Sequence, residues 1–446
     1  MHQDALRKIA EDHNPWWTIG GARRALAFPA KRDLYEKLLR YAAATEARRA
    51  ALIIGPRQVG KTVMLWQLVD GLLEQGWPPK NVTYFDFSDD RLTEEITPRS
   101  VADLAPSGYS PEKTRIFLFD EISKAARWGA WLKQAVDAGK NRFIVTDSAA
   151  SVMRSEARES GQGRWDELRI EGLSFKEYLR LISMPGESPE QALRRVPNSG
   201  ERYLAAGGFP EHVFAEDFYR VRERIREDIS DRAILRDLLR LNVEVTRLKA
   251  LFSYLVQDSG AIFNASIRAR ELNADPRSVD RWVSLLEDTH LIARLLRRTG
   301  NAAARLRAQP RIYAADHGLV SAFAPGGSLE RDQNTRGRVV EAVVFRHLRD
   351  VARELRGELS FFRDQAGLEA DFVLDFDRGP IVIEVTASSD PPSGKFHRLA
   401  KIGKLLKASR SIMIHGGIVG GADDRSATLP LAEFLMRPSS ILEMRK

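Results

Sequence analysis

Residues 55–62, GPRQVGKT, match the pattern G-x-x-x-x-G-K-[ST] at every specified position. In such a loop the glycines let the backbone amides turn towards a polyphosphate, the lysine adds a positive charge, and the final hydroxyl can bind Mg²⁺. The pattern therefore predicts a binding site for ATP and Mg²⁺. The predicted site residues are Gly55, Pro56, Arg57, Gln58, Val59, Gly60, Lys61, Thr62 and Val63.

A second pair of residues completes this chemistry. An apolar run at 115–119 ends in Asp120 and Glu121. At the tip of a buried strand, Asp120 is placed to bind Mg²⁺ together with Thr62, and Glu121 to polarise a water for attack on the γ-phosphate. Such a pair alone is a weak signal, but after the glycine-rich loop it predicts ATP hydrolysis with Lys61 and Glu121 as catalytic residues.

A third polar segment, Thr146-Asp147-Ser148, ends the next apolar run. Polar side chains at this place can contact the γ-phosphate or the attacking water, and Ser148 is the candidate. An ordinary turn at the end of a strand is the alternative.

The segment 289–315 contains six arginines and no Asp or Glu. On a hairpin they would create a positive field along a nucleic-acid backbone, and Arg277 and Arg281 of the preceding helix would face the same way. Pairing with acids elsewhere in the chain is the alternative. The candidate DNA contacts are Arg277, Arg281, Arg294, Arg297, Arg298, Arg305 and Arg307, and the sixth arginine of the segment is Arg311.

Short apolar runs and helical patterns alternate in the first part of the chain. Uninterrupted apolar runs are typical of strands buried on both faces, so we predict a parallel α/β domain up to about residue 175. The runs lie at 50–55, 81–87, 115–121 and 141–148, with an amphipathic helix before them at 31–48.

After residue 175 the sequence predicts first helices, then a hairpin and then a second α/β domain. Residues 175–250 contain charged amphipathic helices, and 251–315 contain a helix pair followed by a hairpin with a Thr-Gly-Asn turn. Asp275 caps the second helix of the pair, with Pro276 at its first position. After a Gly/Pro/Ser-rich break at 324–328, a helix, three strands, a helix and a last strand predict a second α/β domain.

Composition narrows the class of protein. The 446 residues include no cysteine, which excludes disulfides, cysteine metal sites and thiol catalysis. The formal net charge of +8 permits nucleic-acid binding without requiring it. The first residues lack the apolar core of a signal peptide, and no apolar run is long enough to span a membrane. We expect a soluble, cytoplasmic protein that does not contact membranes.

These motifs together resemble the AAA+-type ATPases of bacteria and archaea, a group related to origin-recognition proteins, whose C-terminal half is a domain of unknown function. The similarity covers about residues 47–390. The matching segments are GPRQVGKT, LFDEI, TDSA, GQGRWDELRIEGLSFKEYL, GGFPE, DLLRLN, RIYAADHGLV, GRVVEAVV, LEADFVL and IVIEVT.

The resemblance implies an architecture. It implies an N-terminal helical segment (1–46), a P-loop AAA+ core (47–175), a helical lid (176–250), a winged helix (251–315) and a restriction-endonuclease-like domain (316–446).

Hydrolysis is usefully coupled only if the lid moves against a neighbouring subunit, so we expect a ring or another homo-oligomer, with DNA as a candidate partner. Arg164 stands where the family has an arginine that acts on the neighbouring subunit's γ-phosphate; a surface ion pair is the alternative. Ser148 matches the family's serine, whereas Asp147 stands where a small residue is usual.

The acids of the last domain resemble the PD-(D/E)XK nuclease arrangement, in which carboxylates on neighbouring strands hold a divalent metal. The candidates are Glu341, Asp371 and Glu384, with Glu369 beside them. The pattern requires a lysine where this chain has Thr386, and Lys395 is the candidate substitute. A degenerate domain used for binding or assembly is favoured.

The sequence thus predicts an oligomeric, Mg²⁺-dependent ATPase that contacts DNA. Two alternatives remain: an ATP-dependent switch or scaffold with slow turnover, and an ATP-licensed, metal-dependent DNA endonuclease.

Overall fold

The structure is a computed structural model that forms two compact units, Met1–Glu171 and Gly172–Lys446. It describes residues 3–19, 29–44, 49–93, 96–148, 163–228, 244–325, 329, 332–422 and 426–443. The segment DLLRLN and the first two residues of GQGRW lie outside the described residues.

The first unit alternates strands and helices. Its elements are α1 (Gln3–His13), α2 (Trp16–Ile19), α3 (Leu34–Ala43), β1 (Ala50–Ile54), α4 (Lys61–Glu74), β2 (Val82–Asp86), α5 (Pro98–Ala102), β3 (Ile116–Asp120), α6 (Trp128–Asp137), β4 (Arg142–Asp147) and β5 (Trp165–Arg169).

The five strands form one parallel sheet in the order β2-β3-β4-β1-β5. The four apolar runs are β1 to β4, and β1, β3 and β4 are buried along their whole length, which confirms the predicted parallel α/β core. Because the strands are parallel, their carboxyl ends share one edge of the sheet. The loops after β1, β3 and β4 therefore meet there.

The edge strand β5 was not predicted. It pairs in parallel with β1, from Ala50 opposite Trp165 to Ile54 opposite Arg169. Only one of its residues, Leu168, is buried. A half-exposed edge strand with polar residues does not produce the continuous apolar run from which the other strands were predicted.

The N-terminal helices cover the opposite edge of the sheet. Asn14 donates to the carbonyl of Tyr84 at 2.8 Å and accepts from its amide at 2.7 Å, as a neighbouring strand would. The indoles of Trp16 and Trp17 both donate to the carbonyl of Val82 at 2.9 Å. These bonds satisfy backbone groups that an edge strand would otherwise expose. The described helices of the predicted segment 1–46 thus pack on the same hydrophobic core as the sheet.

The second unit is helical in its first part and contains a sheet in its last part. Its elements are α7 (Phe175–Ile182), α8 (Pro189–Arg195), α9 (Ser199–Ala206), α10 (Phe218–Arg226), α11 (Val245–Gln257), α12 (Ala265–Glu271), α13 (Pro276–Asp288), β6 (Ile292–Leu295), α14 (Ala302–Arg307), β7 (Arg311–Ala314), α15 (His317–Phe323), α16 (Gln333–Glu354), β8 (Glu358–Arg363), β9 (Glu369–Asp375), β10 (Ile381–Thr386), α17 (Ser393–Leu405), β11 (Arg410–His415), β12 (Gly421–Ala422), β13 (Ser426–Pro430), α18 (Leu431–Met436) and α19 (Ser440–Glu443).

The C-terminal sheet has the order β12-β13-β11-β10-β9-β8. β8, β9 and β10 are antiparallel, whereas β10, β11 and β13 are parallel. The predicted C-terminal α/β domain is therefore present, but β11 is not its last strand, since β12 and β13 follow. One hydrophobic cluster, from Leu173 to Ile441, runs through the segments predicted as lid, winged helix and C-terminal domain.

The predicted hairpin at 289–315 is only partly correct. β6 and β7 pair antiparallel, from Ile292 opposite Ala314 to Leu295 opposite Arg311. The Thr-Gly-Asn turn does not join them directly, because α14 lies between. Asn301 caps α14 by accepting from the amide of Ala304 at 2.7 Å, and three alanines then favour a helix. The predicted cap of α13, Asp275, is confirmed: its side chain accepts from the amide of Arg277.

Across the described ranges, none of the helices has both the length and the apolar character that crossing a membrane requires.

Candidate nucleotide-binding site

The glycine-rich loop connects the end of β1 to the first residue of α4. Gly60 has φ 92° and Gln58 has φ 63°, both in the left-handed region, where glycine is favoured. This backbone turns the chain sharply into α4, whose fourteen residues begin at Lys61 and include no acid in the first turn. The partial positive charge of the helix start is therefore uncompensated by side chains of that turn, as an anion site requires.

Gly55 is required by a close approach of two backbones. A Cβ atom built on it would lie 2.0 Å from the carbonyl oxygen of Ile170, just after β5. Its amide donates to the carbonyl of Asp147 at 3.4 Å. The first glycine of the motif therefore lets the loop start between the ends of β4 and β5.

Lys61 is buried under the loop. Its Nζ donates to the carbonyls of Gly55 and Pro56, each at 2.9 Å. Burial lowers the pKa of Lys61, and the negative charges of Glu121 and Asp120 oppose this shift. The predicted phosphate-binding cation thus lies on the loop, close to the two predicted carboxylates.

Asp120 is the centre of a hydrogen-bond cluster. Its Oδ2 accepts from Thr62 Oγ1 at 2.5 Å and from the hydroxyl of Tyr84 at 3.3 Å, and its Oδ1 accepts from Thr146. Burial raises the pKa of Asp120, while the bonds from Thr146 and Thr62 lower it. Thr62 and Asp120, which were predicted as Mg²⁺ ligands, are therefore adjacent. Their hydroxyl and carboxylate oxygens are the hard donors that Mg²⁺ prefers.

Glu121 is held by two residues of β4 and the loop after it. Its backbone is left-handed, with φ 49°, and its amide donates to Thr146 Oγ1 at 3.3 Å. Ser148 Oγ donates to Glu121 Oε2 at 2.9 Å. Ser148 therefore contacts the predicted general base directly, a contact that sequence analysis did not anticipate.

Asp147, the residue that departs from the family pattern, has a local role. Its Oδ2 accepts from the amide of Ser123 at 2.8 Å. This bond fixes the short turn that follows Asp120 and Glu121. The additional carboxylate thus braces the loop that carries the predicted base.

Arg32 supports the loop from outside the motif. Its Nη1 donates to the carbonyl of Val59 at 2.6 Å and its Nη2 to the carbonyl of Glu171 at 2.8 Å. Sequence analysis missed this residue because a contact to backbone carbonyls leaves no pattern in the sequence.

Arg164 lies at the other edge of the sheet. It precedes β5, which runs parallel to β1, so it is at the amino end of strands whose carboxyl ends carry the loop. Its Nε donates to Asp137 Oδ1 at 3.0 Å, and 41% of its side chain is exposed. The structure therefore does not bring Arg164 to the site of its own subunit.

The predicted DNA-binding arginines differ in their surroundings. Arg294 pairs with Glu287 at 2.9 Å, Arg298 binds Asp375 through two bonds of 2.9 and 3.0 Å, and Arg305 pairs with Glu358. The charges of these three are compensated within the chain. In contrast, Arg277 and Arg281 are exposed on α13.

The other two arginines of that segment lie beside backbone groups. Arg297 forms a bridge with Phe361 through its backbone, and the Nε of Arg307 donates to the carbonyl of Ala303 at 3.2 Å. Neither arrangement is specific for DNA.

The acids of the C-terminal domain surround a cation of the chain. Arg311 contacts Glu341, Glu369 and Asp371. In the part of the chain that the structure describes, no three acids or histidines are arranged to hold a metal ion. Lys395 lies in α17, and its Nζ reaches the end of β10, where it donates to the carbonyl of Val385 at 3.1 Å.

Comparison with protein families matches three parts of the chain. Residues 47–179 match an AAA domain, and residues 198–330 and 336–433 match two domains of unknown function, DUF8612 and DUF4143. The first match confirms the predicted AAA+-type P-loop core. The other two agree with the predicted C-terminal half of unknown function.

Three relatives are similar along much of their length. An uncharacterized protein of Haemophilus influenzae is 26% identical over 276 residues, covering 60% of this chain and 67% of the relative. An uncharacterized protein of Methanocaldococcus jannaschii is 24% identical, covering 72% and 71%. One of Mycobacterium tuberculosis is 24% identical over 413 residues, covering 89% and 85%.

Two solved structures are distantly similar. The Aeropyrum pernix ORC2 protein, in ADPNP–ADP complexes, is 13% identical with a TM-score of 0.37, covering 74% of this chain and 99% of that protein. AMPPCP-bound DnaA from Aquifex aeolicus is 14% identical with a TM-score of 0.25, covering 62% and 92%. Similarities of this size do not identify a shared function.

Proposed function

We propose that this chain, which carries an AAA domain at residues 47–179, binds ATP with Mg²⁺ and hydrolyses it. The observation that carries the proposal is the 2.5 Å bond between Thr62 and Asp120 beside the glycine-rich loop, with Glu121 next in the chain. The Mg²⁺ ion would be held by Thr62 and Asp120 and would neutralise charge on the β- and γ-phosphates.

The chain's own residues perform distinct steps. The backbone amides of the loop from Arg57 to Thr62 and the ammonium of Lys61 bind the phosphates. The carboxylate of Glu121, oriented by Ser148, accepts a hydrogen bond from the attacking water and takes up its proton. Arg32 keeps the loop in place through the carbonyl of Val59.

Two substitutions test the proposal. Lys61→Ala should abolish ATP binding measured by calorimetry, because the loop loses its cation. Glu121→Gln should retain ATP binding and lower turnover by roughly 10²- to 10⁴-fold, the usual contribution of a general base. Lys124→Ala is the control. Lys124 lies in the turn that follows Asp120 and Glu121, and its replacement should change neither ATP binding nor turnover. Unchanged turnover in Lys61→Ala would refute the proposal.

The position of Arg164 supports a proposal about the oligomeric state. An arginine at the sheet edge opposite the loop can act on ATP only if another subunit brings its site there. We therefore propose a homo-oligomer in which Arg164 stabilises charge on a neighbour's γ-phosphate. Specific ATPase activity should rise with protein concentration, and Arg164→Ala should remove the rise. Constant specific activity across the assembly range would contradict this role.

DNA contact is proposed for α13. Arg277 and Arg281 are exposed near its start, whereas several arginines of the following segment are paired within the chain. Replacing both Arg277 and Arg281 by alanine should weaken DNA binding. The slope of the logarithm of the binding constant against the logarithm of the salt concentration should decrease in magnitude by about 2, one for each lost phosphate contact. Replacing Arg298 and Asp375 together is the control and should leave the salt dependence unchanged. Equal effects of the two double variants would refute the assignment.

The second candidate function, an ATP-dependent switch with slow turnover, is favoured by the Ser148–Glu121 bond. A carboxylate engaged by a serine is less available to a water than a free one. The two functions differ in the rate of ATP turnover, so measuring turnover with and without DNA distinguishes them. DNA should increase the turnover of a motor. The turnover of a switch should stay slow, while ATP changes the assembly of the protein.

A further inference from the structure

Arg311 of β7 lies among the carboxylates of the C-terminal domain. Its Nη2 donates to Glu369 Oε1 at 2.8 Å, and its Nη1 lies 3.4 Å from both Glu341 Oε1 and Asp371 Oδ1. Its guanidinium also stacks on Phe361, 5.0 Å from the ring centre. Only 6% of the side chain is exposed. One guanidinium thus serves three carboxylates that come from α16 and β9.

The backbone of Arg311 cannot easily move away from these acids. Arg311 pairs with Leu295 in the β6–β7 ladder and forms a second bridge with Ile262. The carboxylates are fixed as well: the hydroxyl of Tyr313 donates to Glu341 at 2.6 Å, and the amide of Val385 donates to Asp371 at 2.9 Å. Both sides of the contact are therefore preorganised.

Glu384 supplies an independent observation. It is 5% exposed, and its carboxylate forms no hydrogen bond or ion pair with any described residue. The antiparallel register, in which Ile383 faces Phe372, places Glu384 beside Asp371. Burial and the charge of Asp371 raise the pKa of Glu384. Glu384 therefore adds to this cluster a buried carboxyl that Arg311 does not engage.

We propose that Arg311 is the resident cation of the carboxylates Glu341, Glu369 and Asp371 and excludes a divalent ion from them and from the neighbouring Glu384. The guanidinium occupies the space between the acids and uses their lone pairs, and its charge repels a second cation at short range. The contact fastens the β6–β7 segment to the C-terminal sheet. The C-terminal domain then has a structural role, in which it holds the β6–β7 segment. Removing the guanidinium creates a divalent-cation site.

The experiment measures Mn²⁺ uptake by the full chain without nucleotide, so that the ATP site does not contribute. Electron paramagnetic resonance of free Mn²⁺ reports the number of bound ions. The variants are Arg311→Met, which keeps an unbranched side chain without charge, and Arg311→Lys, which keeps a charge. Arg298→Met is the matched control, because Arg298 is also an arginine of this segment bound to a carboxylate.

The wild type, Arg311→Lys and Arg298→Met should take up no Mn²⁺ at this cluster. Arg311→Met should bind one additional ion per chain, and adding Glu384→Gln to that variant should abolish the uptake. Mn²⁺ should also raise the unfolding temperature of Arg311→Met but not of the wild type.

Two results would overturn the proposal. The first is Mn²⁺ uptake by the wild type that Glu384→Gln removes, a measurement that does not depend on how well the Arg311 variants fold. The second is a folded Arg311→Met chain, verified by circular dichroism, that gains no ion. If Arg311→Met folds only when Mn²⁺ is added, the ion has replaced the arginine, which supports the proposal.

Discussion

Ser148 donates a hydrogen bond of 2.9 Å to Glu121, the residue that follows the proposed Mg²⁺ ligand Asp120 in the chain. The amide of Glu121 is bonded to Thr146, so both the backbone and the side chain of the proposed base are positioned from the end of β4. The adjacency of β3 and β4 in the sheet makes this possible. Residues at the end of β4 therefore set the orientation of Glu121.

We predict that Ser148→Ala lowers the rate of ATP turnover by roughly tenfold, the equivalent of about 1.4 kcal/mol, because Glu121 loses the bond that orients it. ATP affinity should stay the same, since Ser148 does not contact the loop in this structure. Steady-state kinetics and calorimetry separate the two effects. Ser148→Thr keeps the hydroxyl and should restore turnover. A faster Ser148→Ala enzyme would instead show that the bond restrains Glu121 and would favour the switch.

Gly55 yields a prediction about packing. Gly55→Ala would place a Cβ 2.0 Å from the carbonyl oxygen of Ile170, and neither backbone can yield without disturbing β1 or β5. We expect a loss of about 1–3 kcal/mol in the free energy of unfolding, together with weaker ATP binding. Gly200→Ala in α9 is the control: nothing lies within 4 Å of its added Cβ. If urea unfolding gives equal stabilities for the two variants, the close approach at Gly55 is not restrictive.

The geometry of the candidate ATP site was predictable from sequence because its parts are local. The loop is a continuous motif, and Asp120 and Glu121 directly follow a buried apolar strand. Parallel strands bring such ends to one edge, so the contact between Thr62 and Asp120 follows from the α/β pattern. Ser148 was named for its position, but its partner was not predictable, because the pairing depends on the side-chain directions of two strands.

The arginines of 289–315 show what the sequence could not provide. Their spacing indicates a positive surface, but charge alone does not reveal whether the partner is DNA or the same chain. Arg298 forms a hydrogen bond with Asp375, 77 residues away in the sequence, and Arg311 with Asp371, 60 residues away. Such contacts depend on how β8 and β9 lie beside the segment. The helix α14, in contrast, had a local signal in Asn301 and the following alanines.

The pair Arg298–Asp375 should contribute measurably to stability. Its two bonds of 2.9 and 3.0 Å join planar groups in the bidentate geometry, and about one third of each side chain is exposed. A double-mutant cycle with Arg298→Ala and Asp375→Ala in urea unfolding should give a coupling energy near 1 kcal/mol. The exposed pair Arg353–Asp350 on α16 is the control and should give about 0.3 kcal/mol. Equal coupling energies would contradict the prediction.

His347 makes the stability of the second unit depend on pH. It is buried in α16, where Nδ1 donates to the carbonyl of Val343 at 2.8 Å and Nε2 accepts from the amide of Phe175 at 3.4 Å. These partners require the neutral ring, since a second N–H would face the amide of Phe175. Burial, with a smaller contribution from the charge of Arg346, lowers the pKa of His347 to about 3.

The folded chain therefore binds a proton at His347 less readily than the unfolded chain, whose histidine has a pKa near 6.5. The stability that this difference provides is complete above pH 6.5 and is lost as the pH falls towards 3, by about 1.4 kcal/mol per pH unit. In urea unfolding between pH 7 and pH 5 this contribution should appear as the difference in slope between the wild type and His347→Gln, because His212 and His317 also have lowered pKa values. His347→Gln should be less stable at pH 7 but should have a smaller slope, because glutamine does not titrate. His397→Gln, an exposed histidine of α17, is the control and should keep the wild-type slope. Identical slopes in His347→Gln and the wild type would show that His347 is not the titrating group.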